Sequence, residues 1–333
     1  MKPKVLITRD VFDEVTAYLL NHFDVIANPE DEAWDAATFA AKLADCDGVV
    51  TAISDQVDAA LLAGASRLKA VCNIGVGYNN IDVGACTVRG IMVTNTPGVL
   101  TESTADFAWA LLLAAARRVT EGEAYLRRGD WKRWELKQLL GVDVHGASLG
   151  IFGMGRIGQA IAKRARGFDM TLRYHNRSRL APETEQALGA AYAEKDALLE
   201  WADFLVLTVP YSWETHHLIG RTELWKMKPN AILVNIARGG VVDDEALVDA
   251  LGTRRILAAG LDVYENEPNL NPGFLELVNV VLSPHVASST HATRLAMAMT
   301  AARNLVAALT GGVPENLVNA EVKQMRGREG VKE

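Results

Sequence analysis

The sequence predicts an α/β protein of two doubly wound domains, each a parallel sheet with helices on both faces. Three observations carry this expectation. Short β-rich runs alternate with helical patterns along most of the chain, the signature of parallel sheets joined by crossover helices. A glycine-rich turn, Gly153-Met154-Gly155-Arg156-Ile157-Gly158, links one such run to a helical stretch. The 333 residues exceed the ~100–200 of a single domain, so two are expected.

In the first hundred residues, Val5-Leu6-Ile7-Thr8, Val25-Ile26, Gly48-Val49-Val50-Thr51, Leu68-Lys69-Ala70-Val71 and Ile91-Met92-Val93 read as strands, with helical spacing over Val11–His22 and Thr38–Leu43 between them. A long helix is expected from Glu102 to Val119, capped by Thr101 or Ser103, with Ala108, Leu111, Leu112 and Ala115 as its apolar stripe. Trp131-Lys132-Arg133-Trp134-Glu135 lacks periodicity and reads as an arm or loop. A second alternation follows, with strands expected at Ser148–Phe152, Thr171–Tyr174, Phe204–Thr208, Ala231–Asn235, Ala258–Leu261 and Val280–Leu282. A helix over Thr290–Leu309 precedes a polar tail.

A net charge of -7 argues against a general nucleic-acid or membrane-surface binder, which would carry a basic excess. It leaves room for a small anionic partner held by a local arginine. Cys46, Cys72 and Cys86 have no metal-type or disulfide-framework spacing, so they are expected as free thiols in a reducing compartment. Met1-Lys2-Pro3 runs straight into a strand-like segment without a signal-peptide core, and no apolar run reaches the ~18 residues of a membrane span, so a cytoplasmic location is expected. No His, Asp or Glu spacing suggests a metal site.

The glycine turn is the strongest local motif. Gly153 suits a tight turn, Gly155 a close approach of backbone to a pyrophosphate, and Gly158 the packing of the following helix on its sheet. The N-terminus of that helix adds N–H donors and a positive dipole end. With a strand before it and a helix after it, the turn predicts a Rossmann-like dinucleotide site. The next strand selects the cofactor. An NAD-type fold usually ends that strand with an acid that bonds the ribose 2′-OH. Here it ends in His175-Asn176-Arg177-Ser178-Arg179, without an acid. Arg177 offers a planar fork for a 2′-phosphate and Asn176 and Ser178 neutral donors, so NADPH is expected over NADH. Solvated surface charge is the alternative reading of these arginines.

Several further motifs make the chain resemble the D-2-hydroxyacid dehydrogenases, and within them the glyoxylate/hydroxypyruvate and 2-ketogluconate reductases. They are Asn73-Ile74-Gly75-Val76-Gly77-Tyr78-Asn79-Asn80-Ile81-Asp82, Thr96-Pro97-Gly98-Val99-Leu100-Thr101, the glycine turn, Asn235-Ile236-Ala237-Arg238-Gly239-Gly240, Gly260-Leu261-Asp262-Val263-Tyr264-Glu265-Asn266-Glu267-Pro268 and Ser283-Pro284-His285-Val286. The resemblance spans nearly the whole chain. It implies a discontinuous, flavodoxin-like substrate domain of residues 1–100 and 287–333, a dinucleotide-binding domain of residues 101–286, and an active site in the cleft between them. It also implies a homodimer formed through the arm Gly122–His145, with Trp134 resembling an aromatic that reaches the partner and an ordinary arm-packing role as its alternative. Val209, Pro210, Ile236, Ala237 and Asp262 are then expected to line the cofactor. Thr104 is assigned there too, with capping or packing as its alternative, and Leu100 is assigned to the substrate pocket. The family commonly has Gly where this chain has Ala287, which would crowd the nicotinamide amide slightly.

The chemistry implied is reduction of a small 2-oxo acid. His285 is the expected proton donor, since imidazole exchanges protons near neutrality, and Glu267 its orienting carboxylate. Arg238 follows a strand and can grip carboxylate and carbonyl together. Backbone N–H groups of Val76 and Gly77 are expected to add a second carboxylate grip. Each residue alone also fits a plainer role, as a core histidine, a surface acid and a salt-bridge partner. Their shared position after strands of one sheet favours chemistry. An NAD-linked dehydrogenase of another 2-hydroxy acid and a dinucleotide-sensing corepressor are the competing functions. His216, His217 and His291 read as structural or surface residues.

Overall fold

The computed structural model describes residues 2–322. The chain forms two compact units, one from the residues up to Leu100 together with those from Thr290 on, the other Thr101–Ser289. The last residues of the polar tail, 323–333, which the resemblance assigns to the substrate domain, lie outside the described residues.

The first unit holds strands β1 (Lys4–Ile7), β2 (Asp24–Ile26), β3 (Gly48–Ala52), β4 (Ala70–Ile74) and β5 (Met92–Thr94), all parallel in the order β2-β1-β3-β4-β5. Alternation along the strands feeds two cores. Val5, Ile7, Val50 and Cys72 face Val15, Leu19, Ala301 and Leu305 from the helices Asp13–His22 and His291–Leu309. Leu6, Val49, Val71 and Val93 face Leu43, Leu62 and Cys86 on the other side. Near-continuous apolar strands are what a sheet buried on both faces requires.

The second unit is a seven-stranded parallel sheet of β6 (Ser148–Phe152), β7 (Thr171–His175), β8 (Ala190–Tyr192), β9 (Phe204–Leu207), β10 (Ile232–Asn235), β11 (Ala258–Leu261) and β12 (Val280–Leu282), in the order β12-β11-β10-β9-β6-β7-β8. The order reverses between β6 and β9, the topological switch point of a dinucleotide-binding sheet. One face is covered by the helices Thr101–Ala116 and Arg156–Ala165, where Ala108, Leu111, Leu112, Ala160 and Ile161 pack on Ile151, Val206 and Val234. Leu198, Leu224, Leu247 and Leu251 cover the other face.

Several expected boundaries move. The long helix spans Thr101–Ala116, so Thr101 and Ser103 lie inside it instead of capping it. It stops because Arg118 adopts φ 53° and the Ala116 carbonyl accepts from Val142 N–H of the arm. The arm is not wholly irregular, since Val119–Arg127 forms a helix with no buried residue and hence no apolar stripe to announce it. The strand expected at Leu68–Val71 runs Ala70–Ile74, because Leu68 N–H is spent on Ala65 O in the turn after the helix Ala59–Ala63, and the β3–β4 ladder starts at the Gly48–Ala70 pair. Edge strand β8, only three residues long, has no sequence signal. All three cysteines are buried free thiols. Among the described residues no helix is long and apolar enough to cross a membrane.

Candidate active site

Strand register gathers the candidate residues of the second unit. Phe152 pairs with Leu207, Leu207 with Asn235, Asn235 with Leu261 and Leu261 with Leu282. Five strands therefore end in one row, and the segments that follow leave the sheet along one edge, where open α/β sheets bind ligands.

After β6 comes the glycine turn. Gly153 has φ +95°, and a Cβ there would sit 2.8 Å from Val209 N. A Cβ on Gly158 would collide with the Gly153 carbonyl oxygen. Gly155 differs, because no atom beyond its immediate chain neighbourhood lies within 4 Å of where its Cβ would be. It is the N-cap of the helix Arg156–Ala165, and no side chain caps that end. Met154 N–H donates to Asn176 Oδ1 at 2.6 Å, and the Met154 side chain is buried. Arg156 is exposed and Ile157 half-buried. Packing thus explains the outer glycines, while an open backbone cradle at a helix N-terminus fits a pyrophosphate.

At the end of β7, Arg177 and Ser178 are exposed. Arg179 is committed elsewhere. It makes two 2.8 Å hydrogen bonds to Glu185, and together with the Tyr174 hydroxyl it pulls the Glu185 carboxyl down to about 2. Of the two arginines, Arg177 is the one presented at the strand end. Val209 is half-buried and Pro210 exposed after β9, Ile236 and Ala237 are buried after β10, and Thr104 is buried in the helix Thr101–Ala116.

The turn after β10 presents Arg238. Asn235 shapes it, accepting from Ala237 N–H at 3.0 Å and donating to Arg238 O at 3.3 Å. Burial presses the Arg238 guanidinium below its ordinary range and the Glu267 charge pulls it back. It remains a cation, as guanidinium does in proteins. After β11, Glu267 Oε1 accepts from Tyr264 N–H at 2.9 Å and its Oε2 lies 2.7 Å from His285 Nδ1, on the segment after β12. Burial pushes the Glu267 carboxyl up, but the His285 hydrogen bond and charge, the Tyr264 N–H and Arg238 outweigh it and hold it below the usual range. With an ionised carboxylate as acceptor, Nδ1 carries the hydrogen, so Nε2 is the ring nitrogen whose protonation changes with the charge of the imidazole. Arg238, Glu267 and His285 are thus electrostatically connected.

The sequence alone does not reveal how the His285 segment, where His285 itself has φ 53°, is wired. Asp262 is buried. Its carboxylate accepts from Ser283 Oγ at 2.7 Å and from Val286 N–H and Ala287 N–H at 2.8 Å each. Tyr264 adds its hydroxyl, which donates to Ser283 O at 2.9 Å and accepts from Ser283 N–H at 3.0 Å. Both residues stand inside a motif of the sequence, yet only the fold gives their partners.

The first unit has a candidate anion grip of its own after β4. The carbonyls of Gly75, Val76 and Gly77 accept from Thr96 N–H, Asn95 Nδ2 and Asn73 Nδ2 at 2.9, 2.8 and 2.8 Å. Among the described residues the N–H groups of Val76 and Gly77 donate to nothing. Leu100 is buried.

One further cluster stands outside the expected set. Ligand-capable atoms of His216, His217 and Glu265 lie within 4.8 Å of one another. The two imidazoles stack at 4.0 Å with planes only 22° apart, so their in-plane lone pairs do not converge on one point as a metal would need.

Comparison with known proteins identifies the family to which the chain is similar. The family model for D-isomer specific 2-hydroxyacid dehydrogenase, NAD binding domain, matches residues 109–287. The chain is similar to a glyoxylate reductase of Thermococcus gammatolerans, 49% identical over 330 residues that cover 98% of each protein. Its fold is similar to an NADPH-dependent glyoxylate/hydroxypyruvate reductase of Sinorhizobium meliloti solved with NADP and malonate, with a TM-score of 0.87, 36% identity and coverage of 97% and 98%. A glyoxylate reductase structure from Paecilomyes thermophila gives 0.86 and 34%, covering 95% and 98%.

Proposed function

The chain belongs to the D-isomer specific 2-hydroxyacid dehydrogenases, NAD(P)-dependent oxidoreductases, and we propose that it is an NADPH-preferring reductase of a small 2-oxo acid, glyoxylate foremost. The observation that carries the reaction is the His285–Glu267 pair at 2.7 Å beside an arginine whose charge acts on the same carboxylate. A nicotinamide cofactor supplies the hydride when bound. His285 delivers the proton to the forming alkoxide. Glu267 stabilises the imidazolium and fixes the ring. Arg238 holds carboxylate and carbonyl, and the Val76 and Gly77 N–H groups add the second carboxylate grip.

NADPH preference rests on the acid-free end of β7 and the exposed Arg177, and is supported by the NADP-bound relative. Gly153–Gly158, Asn176, Ser178, Thr104, Val209, Pro210, Ile236, Ala237 and Asp262 make up the remaining cofactor assignment. Hydroxypyruvate and 2-ketogluconate stand beside glyoxylate as substrates. We also infer a homodimer, supported by the exposed Trp131, Trp134, Leu136 and Leu140, large apolar side chains that all fall within one short stretch of the arm.

The test is a substrate panel of these three acids with NADPH and NADH, followed by absorbance. Oxidation of NADPH is expected, and His285→Gln should lower kcat by at least ~100-fold with cofactor affinity nearly intact. Arg177→Asp should cut the NADPH-over-NADH preference by ~10–100-fold. A wild-type chain that binds cofactor tightly and turns over no acid would overturn the enzyme in favour of a dinucleotide sensor.

A further inference from the structure

Beyond the groups assigned to the reaction, a third segment joins the two loops that carry Arg238 and Glu267. It follows β9 and ends in His216-His217. His217 N–H donates to Gly240 O at 2.7 Å, so its backbone is fixed to the Arg238 turn. Its Nε2 lies 2.5 Å from Glu265 Oε1, so its side chain is fixed to the Glu267 loop. Glu265 N–H in turn donates to Asp244 Oδ2 at 3.0 Å, at the head of the helix Asp244–Gly252. The two loops also meet directly, because a Cβ on Gly239 would collide with the Tyr264 carbonyl. His217 is braced by the stacked His216 ring, whose Nδ1 lies 3.2 Å from the Tyr211 hydroxyl.

We propose that His217 and Glu265, seated on Asp244, form a clasp that sets the distance between Arg238 and Glu267 and so act as positioning residues for the acid–base pair. Neither is assigned to substrate or cofactor. A loop shift of about 1 Å costs on the order of 100-fold in rate when it misplaces reacting groups, so one strong hydrogen bond between the loops has a kinetic consequence out of proportion to its stability. The kinetic part of the inference rests on the proposed reduction, whereas the structural part does not.

The experiment compares His217→Ala, His217→Gln, Glu265→Ala and His217→Ala/Glu265→Ala in the full chain. Gln retains a donor where Nε2 stands. The expected result is a loss of tenfold or more in kcat/KM for glyoxylate in His217→Ala, with the NADPH Kd unchanged and most of the activity restored in His217→Gln. The double variant should be no worse than the poorer single one, since both changes break one contact. Hydrogen exchange by mass spectrometry, which needs no activity, should speed up over residues 236–241 and 263–268 in His217→Ala and stay constant over 153–158. Unchanged exchange in those two segments, exchange raised throughout the unit, or a Gln variant as impaired as Ala would each overturn the clasp. A wild-type chain inert toward 2-oxo acids would instead sink the functional reading and leave the exchange result to decide the clasp.

Discussion

Two loops at the ends of parallel strands, Gly75–Gly77 after β4 and Gly153–Gly158 after β6, solve one problem in different ways. Both are suited to hold an anion with backbone N–H groups. The β6 turn relies on packing and on a helix end. Gly153 and Gly158 are forced by backbone approaches, and the helix Arg156–Ala165 starts without a side-chain cap. The β4 loop leads into no such helix. Its three carbonyls are tied back by Asn73, Asn95 and Thr96, and among the described residues no acceptor engages the Val76 and Gly77 N–H groups. An Asn amide serves both loops with opposite polarity, since Asn176 uses its oxygen to accept a turn N–H while Asn73 and Asn95 use their nitrogens to hold carbonyls. A helix-borne cradle is therefore sensitive to glycine, and a tied loop to its side-chain amides.

That contrast can be broken most forcefully at Gly158. Gly158→Ala drives a methyl into the Gly153 carbonyl, and should lower stability by about 2 kcal/mol and NADPH affinity by ~100-fold or more, read by thermal unfolding and cofactor titration. Gly155→Ala sharpens it. With open space around that position, unfolding should stay within about 0.5 kcal/mol of wild type while NADPH affinity falls ~10-fold. Equal destabilisation in the two variants would remove the distinction between packing glycine and ligand glycine. The smallest effect is expected at the tied loop. Asn95→Ala deletes one carbonyl tether, and should raise KM for the oxo acid ~5–10-fold with the NADPH Kd unchanged. A cofactor defect in this variant would mean that the loop serves the dinucleotide instead.

The fold was legible where local pattern and burial coincide. Strands β6, β11 and β12 fall on their expected bounds because each is an apolar run bracketed by turn residues. The Val119–Arg127 helix and β8 escaped, because a helix with no buried face and a three-residue edge strand leave no periodic signal. In the candidate site, Arg238, Glu267 and His285 stand out in their motifs by residue type, whereas the roles of Asn235 and Tyr264, which share those motifs, and of His217, which lies in none, do not. Their importance lies in partners from 3 to 48 residues away, such as Arg238 O for Asn235 and Glu265 for His217.

By itself the sequence determined the parallel α/β class, the dinucleotide turn with its acid-free neighbour strand, and the identity of the candidate reacting side chains, because those depend on residue type and short-range spacing. Only the tertiary structure decided which arginine is presented at the end of β7, how Asp262 and Tyr264 hold the His285 segment, and that His217 joins the Arg238 turn to the Glu267 loop. The physical reason is strand register. Aligning Phe152, Leu207, Asn235, Leu261 and Leu282 in one row brings segments far apart in the chain within hydrogen-bond reach, and no local spacing encodes that alignment.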